Sequence, residues 1–357
     1  MPYETGVDKE GPWIRWGRSG KKYHYRAGSK ASKAAAFEKA SEQRKAILAT
    51  GWKEHGDAKK GTGTTTPEER MRRTIERMKA AGKKFTRRPT YRINYPRRLE
   101  TDYARQIMRL MKRATSAAAQ ILIEALPGII AAYQAEHRTD TKAGNALADA
   151  MRSAKAAIAT RLREPIIEQA ALTAAERIGA MNYREVGKQF ISRMGINPIE
   201  TEPWLQARYE AWVEENVALI TSIEPEAFGK VEQVIRNGLN NGETTPDIAD
   251  KIRERFGVTE SRATLIARDQ IGKLFGQLTK QRNEQAGVKS FIWRTAGDER
   301  VRESHAALEG EEFTWAEGAV DDQTGETIWP GTAIQCRCTA EAVFEEMEEV
   351  AEEEEEA

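Results

Sequence analysis

Between Leu99 and Ala286 the apolar residues recur with the period of an α-helix, and this limits the fold more than any other feature of the chain. A chain patterned this way buries its stripes by packing helix on helix. Leu99, Tyr103, Ile107, Leu110, Met111, Ile121 and Leu122 share one face of a helix expected to run to Pro127. Leu147, Met151, Ile158 and Leu162 mark a second, ending near Pro165, and a third continues from Ile166 to about Met181. Trp204, Trp212, Leu219 and Ile220 lie on a fourth, over Glu202–Ile220. Thr244-Thr245-Pro246 is the start of a fifth, with Gly257 as its stop, and a sixth over Glu260–Ala286 is capped by Gly287. Residues 99–257 are therefore expected to form an elongated helical middle, as a bundle or a stalk.

The flanks carry opposite charge. Residues 1–120 hold 30 Lys and Arg against 12 Asp and Glu, whereas the stretch from Glu341 onward holds ten Glu and no basic residue, so the formal net charge of +1 conceals a dipolar chain. Within residues 1–51, Pro12–Trp16 and Lys21–Arg26 have the pattern of strands joined by Gly17-Arg18-Ser19-Gly20, and Ser32 to about Thr50 is Ala-rich, giving a basic ββα mini-domain. Residues 52–98 are expected to be a basic linker and helix. Thr66-Pro67-Glu68-Glu69 is a capping box with Pro at the first helical position, and Lys83–Arg98, holding Pro89 and Pro96, is expected to be extended.

After Gly287 the pattern changes. Lys289–Thr295 alternates with Phe291 and Trp293 on one face, Asp298 can cap a short helix to about Leu308, and Glu312–Trp315 and Ile334–Ala340 have strand character around the turn Asp321–Gly325. Residues 258–343 are thus expected to be a compact α+β module, and residues 344–357 an acidic tail, disordered or a frayed helix. The fold class expected is mostly α, with a small α+β C-terminal domain and an N-terminal ββα mini-domain. The two cysteines, Cys336 and Cys338, cannot build a disulfide framework, which suits an intracellular origin. No apolar run approaches the length of a membrane span, and the N-terminus lacks the apolar core of a secretory signal.

The C-terminal module carries the most specific constellation: Arg262-Ala263-Thr264-Leu265-Ile266-Ala267-Arg268-Asp269-Gln270, then Trp293-Arg294-Thr295, then Asp298-Glu299-Arg300-Val301-Arg302 with His305, Leu308 and Gly310, and finally Pro330-Gly331 and Cys336-Arg337-Cys338. In this order the pieces resemble the phage Mu F-like minor head protein family, also called head-morphogenesis proteins. The close resemblance covers about residues 200–340, with Trp212, Asn216, Leu219 and Ile220 similar to the family's helical lead-in. It implies a structural minor head protein of a tailed bacteriophage. Such a protein is present in few copies near the portal, and acts in head assembly or DNA packaging and delivery. The partners implied are portal, capsid or scaffold proteins and packaged double-stranded DNA, with no small-molecule substrate. The location implied is the virion, in the head interior or at the portal vertex, after assembly in the host bacterial cytoplasm.

Two readings of the cysteines stand side by side. In an extended strand Cys336 and Cys338 would project together, with Arg337 opposite, and a Cys/Cys/His/Asp set of Cys336, Cys338, His305 and Asp298 could hold structural zinc. The Cys-x-Cys spacing is tighter than that of most zinc sites, which favours a buried thiol pair beside a hydrogen-bonded histidine. Arg262, Arg268, Arg294, Arg300 and Arg302 suit an internal salt-bridge network better than phosphate or partner binding through Arg forks. At the other end, Arg15, Arg18, Lys21 and Lys22 interleave with Trp13, Trp16, Tyr23 and Tyr25, and Arg72, Arg73, Arg87 and Arg88 follow; these are the candidate nucleic-acid contacts. They make a DNA-binding protein that accompanies or protects the genome the alternative. A metal-dependent hydrolase is the second alternative, with His305 and Asp298 as base and orienter but with no nucleophile, phosphate loop or carboxylate cluster beside them. Gly272-x-x-x-Gly276 is expected to serve close helix packing.

Overall fold

The computed structural model describes residues 3–8, 11–16, 22–24, 39, 65–136 and 143–356. The chain divides into two units, Met1–Thr65 and Thr66–Ala357. In the first, β1 (Tyr3–Asp8), β2 (Gly11–Trp16) and β3 (Tyr23–His24) form one antiparallel sheet in that order, with Tyr3 opposite Trp16 and Trp13 opposite His24. The two expected strands are present, and a third precedes them. Tyr3, Thr5 and Val7 alternate with Glu4, Gly6 and Asp8, a period-2 pattern disguised by low apolar content. Of the Ala-rich helix expected over residues 32–50 only Lys39 lies among the described residues, in helical conformation.

The second unit is built on helices: α1 (Pro67–Ala80), α2 (Arg97–Glu136), α3 (Ala143–Arg161), α4 (Glu164–Met194), α5 (Leu205–Thr221), α6 (Ile223–Asn240) and α7 (Thr245–Gln285). The remaining elements are β4 (Ser290–Arg294), α8 (Glu303–Ala306), β5 (Glu312–Thr314), β6 (Ala319–Val320), β7 (Thr327–Ile328), β8 (Thr339–Ala342) and α9 (Glu345–Glu356). The Thr66 capping box forms as expected, with Glu69 N–H donating to Thr66 Oγ1 and Thr66 N–H to the Glu69 carboxylate. Thr244 and Asp247 form a second one at the start of α7.

Four helical expectations change. Gly257 does not end a helix, because Ile252, Phe256, Thr259 and Ala263 form one buried stripe through it. A mid-helix glycine costs about 1 kcal/mol, less than that stripe contributes by staying continuous. Pro127 likewise lies inside α2, where buried Leu122, Leu126 and Ile129 carry the stripe past it. The helix expected to stop near Met181 continues as α4 to Met194 and ends at Gly195, whose backbone is left-handed. A further helix, α6, lies between the expected fourth and fifth and buries Phe228, Val231 and Ile235.

These helices share one core, running from Met71 on α1 to Ala351 on α9, so the helical middle is a packed bundle and not an extended stalk. α2 lies against both α3 and α7, and α4 against α5 and α7. A polar network is sealed inside. Arg282 is fully buried, its Nε and Nη2 donating to Glu202 at 2.6 and 3.0 Å and its Nη1 to Asn182 at 2.6 Å. Residues 81–96, expected as linker, are a strap on α4: Thr86 N–H donates to the Arg193 carbonyl, and Tyr91 and Asn94 bond to Glu185. The acidic segment 344–357, expected as a disordered tail or a frayed helix, is helical over Glu345–Glu356. Phe344, Met347 and Ala351 are buried at helical spacing, and Phe344 meets Phe190 edge-on at 5.7 Å. Its carboxylates meet cations of the same unit: Arg193 with Glu348, Lys79 and Arg72 with Glu354, Lys84 with Glu355, and Lys289 with Glu346.

One expectation about membranes is also refined. Among the described residues α2 is long and apolar enough to cross a bilayer by length and composition, because its second half is rich in alanine. Its apolar residues Ile107, Met111, Ala114, Leu122 and Leu126 belong to the protein core.

Candidate metal centre

The C-terminal module hangs on α7. Its sheet has the order β5-β4-β8, all antiparallel, and β6 pairs with β7 as a small hairpin. Phe291 and Trp293 on β4 point to the same side, as their alternation predicts, into a second core with Trp315, Ile328, Cys336 and Cys338. α8 is shorter than expected and begins after Arg302. Asp298 therefore does not cap it; its carboxylate accepts the Arg300 N–H in the preceding turn.

The Cys336-Arg337-Cys338 segment lies ahead of β8, in a loop and not in a strand. The loop is pressed onto α7 where that helix has no side chains. A Cβ on Gly272 would stand 2.9 Å from the Cys336 carbonyl oxygen, and one on Gly276 only 2.3 Å from that of Pro330. The Gly272-x-x-x-Gly276 pair thus serves close packing, but of a loop on a helix and not of two helices. Gln335 holds a left-handed backbone, φ 54°, with its N–H bonded to Asp269 at 2.7 Å. That turn directs both sulfurs inward.

His305, Cys336 and Cys338 meet there, all buried. His305 Nδ1 lies 3.5 Å from Cys336 Sγ and 3.6 Å from Cys338 Sγ. Zn–N near 2.05 Å and Zn–S near 2.3 Å in a tetrahedron put nitrogen and sulfur roughly 3.5 Å apart. The group can therefore hold a metal such as zinc. The same spacing also admits S–H···N hydrogen bonds. Backbone N–H groups of Gly331 and Cys338 both point at Cys336 Sγ, at 3.4 Å each, an arrangement that stabilises a thiolate. The Cys336 thiol is held well below its usual range by the Cys338 hydrogen bond and the facing His305, while Cys338 is pushed up because Cys336 and burial oppose a second charge. His305 is raised in turn, chiefly by Cys336.

On the far side of the ring, His305 Nε2 is 3.6 Å from the Asp321 carboxylate, which is held by the Gln323 N–H at 3.0 Å. At 3.6 Å this is a charge contact and not a hydrogen bond, and Nε2 has no hydrogen-bond partner among the described residues. Trp293 packs edge-on against the imidazole at 5.5 Å. Sequence reasoning saw Asp321 only as a turn residue, since nothing in the spacing links it to His305.

Asp298, the fourth expected ligand, is elsewhere. Arg337 grips it with two bonds of 2.5 and 2.6 Å, Arg97 adds a third at 3.4 Å, and its carboxyl is held at about 2 chiefly by Arg337. The expected arginine network forms in part. Arg262 pairs with Glu226, Arg294 with Glu341 and Glu309, and Arg268 with Glu100. Among the described residues Arg300 and Arg302 have no acidic partner; Arg302 donates to the Ile334 carbonyl instead. Of the candidate nucleic-acid contacts, Arg15 belongs to β2, Lys22 is exposed, and Arg18 and Lys21 lie outside the described residues. Arg72 and Arg73 on α1, and Arg87 and Arg88 on the strap, are exposed, with Arg72 4.0 Å from Glu354.

Residues 229–341 match the family described as Phage Mu protein F like protein. A stretch of 174 residues is 33% identical to an uncharacterized protein of Haemophilus influenzae, covering 48% of this chain and 38% of that one. The chain thus spans well under half the length of this curated relative. No solved structure matches. The matched segment starts within α6, so Trp212 and Asn216 precede it, yet both are tied to it: Trp212 Nε1 donates to the Gln270 carbonyl and Asn216 to the Gln270 side chain. From α6 through α7, the Cys/His cluster and into β8, residues 229–341 are similar to the Phage Mu protein F like family.

Proposed function

We propose that the chain is a head-morphogenesis protein of a tailed bacteriophage, a structural component of the virion head acting near the portal. The observation that carries this reading is the family match over 229–341, which spans the α7 platform and the Cys/His module built on it. Portal, capsid or scaffold proteins are the partners proposed, with assembly in the bacterial cytoplasm and no turnover. Co-sedimentation with isolated proheads and portal tests it: enrichment with either is expected, and absence from both overturns the reading.

Within that role, zinc at His305, Cys336 and Cys338 is structural. It ties the 329–338 loop to α8, both of which lack the regular hydrogen bonding of long elements. Metal analysis of the full chain against Cys336→Ser checks this. One metal per chain, lost in the variant, is expected; a metal-free native protein returns the cluster to a thiol pair beside a histidine.

The DNA-binding reading keeps one specific support, the exposed Arg73, Arg87 and Arg88. Against it, Arg72, Lys79 and Lys84 already face the carboxylates of α9. Binding of duplex DNA by the full chain, with a steep loss as salt rises, is the expected signature; salt-independent or undetectable binding removes this reading.

A further inference from the structure

The Cys336–Cys338–His305 group offers three donors, and among the described residues no fourth joins it. Asp321 faces the other ring nitrogen and so stands behind the histidine, not beside the sulfurs. On the remaining side the three residues form part of the wall of a cavity of about 430 Å³. Tyr95, Arg97, Arg268, Arg300, Arg302 and Arg337 supply the rest of its character.

The charges around this cavity do not balance. Arg337 and Arg97 share Asp298, and Arg268 has Glu100 at 3.7 Å. Arg302 is bonded to a neutral carbonyl, and Arg300 has no acidic partner among the described residues. Arg300 and Arg302, both solvent-exposed, thus line this space without a carboxylate of their own, and an anion entering it would meet two unpaired guanidinium groups. They come from the turn before α8, while Arg97 opens α2 and Arg268 projects from α7. Two forks on one turn, beside an open metal position, offer donors to separate oxygens of a tetrahedral phosphate, whereas a planar carboxylate is saturated by one fork.

We propose that a divalent metal held by Cys336, Cys338 and His305 keeps one exchangeable coordination position facing this cavity, and that the arginines direct a phosphate-class oxyanion to it. The inference rests on the metal reading above. A donor set of two cysteines and one histidine leaves a tetrahedral ion one ligand short, and that ligand is exchangeable wherever solvent can reach it. The oxyanion would displace water from the ion while its other oxygens accept from Arg300 and Arg302. No bond in the anion is broken.

The test uses the full chain loaded with cobalt(II), whose thiolate charge-transfer band reports binding and whose visible bands report the fourth ligand. One cobalt per chain with a charge-transfer band is expected. Inorganic phosphate should then shift the visible bands saturably. The double variant Arg300→Ala/Arg302→Ala should keep the cobalt and the charge-transfer band but weaken phosphate by about tenfold or more, the loss of one or two charge-assisted hydrogen bonds. Visible bands unmoved by phosphate, with cobalt bound, overturn the open position and leave the metal reading standing. Absence of the charge-transfer band overturns the metal reading and this one with it. An equal shift with acetate, undiminished in the double variant, overturns the arginine-directed phosphate site.

Discussion

At the scale of single residues, two glycines on one helix have opposite meanings. Gly257 has open space where a side chain would go, and Gly276 has the Pro330 carbonyl. Gly257→Ala should therefore stabilise the protein by up to about 1 kcal/mol, as alanine does in a helix interior. Gly276→Ala must push the Cys336 loop off α7 and should cost about 1–3 kcal/mol, as overpacking does. Urea unfolding of the two variants checks both, and equal effects would contradict the loop placement. Asp298 gives a pH signature. Its folded pKa is lowered from 3.8 to about 2, chiefly by Arg337, so its contribution is present above pH 3.8 and fades as pH falls toward 2. Asp298→Asn should lower the urea midpoint at pH 7, and the gap to wild type should close near pH 2. A gap that persists there would mean that the pair acts through packing instead of charge. Much of the site was legible at this scale, because His305, Cys336 and Cys338 are rare residue types in a distinctive order. Asp321 was not, since its partner is set by how the β6–β7 hairpin folds back under α8.

At the scale of elements, α9 shows why charge alone misleads. Its run of Glu suggests a solvated tail, but Phe344, Met347 and Ala351 form a stripe that α1 and α4 cover. The surface ion pairs with Arg72, Lys79 and Lys84 are exposed and individually contribute little. The apolar stripe holds the helix, and the charges select which face it meets. Phe344→Ala should accordingly destabilise the second unit by about 3–5 kcal/mol, whereas removing the three ion pairs by raising salt should change stability by less than about 1 kcal/mol. Thermal unfolding in low and high salt separates the two terms. Salt-driven loss as large as that of the Phe344 variant would make α9 an electrostatic attachment. The helices themselves were legible from period alone. Their ends are less legible, because at Gly257 and Pro127 local propensity opposes the buried residues on both sides, and the burial prevails. The Cys-x-Cys strand was misplaced for a related reason: a left-handed Gln335, fixed by Asp269 of α7, brings i and i+2 together without any strand.

At the scale of the whole molecule, elements and contacts of the second unit run across positions 98, 257 and 343. α7 runs through one of them, α2 spans another, and α9 folds back across the third. The family segment 229–341 is therefore not a freestanding domain: the second half of α7 is bolted to α4 and to the segment before α5 through Arg282, Asn182 and Glu202. Sequence patterns could not reveal this, because boundaries drawn from composition say nothing about contacts between distant segments. The claim of a virion component is tested most directly by quantitative mass spectrometry of purified phage particles that encode this chain. A small, fixed number of copies per particle, retained after nuclease treatment and salt washing, is the result predicted here. Its absence from both mature virions and proheads would contradict a structural role in the head.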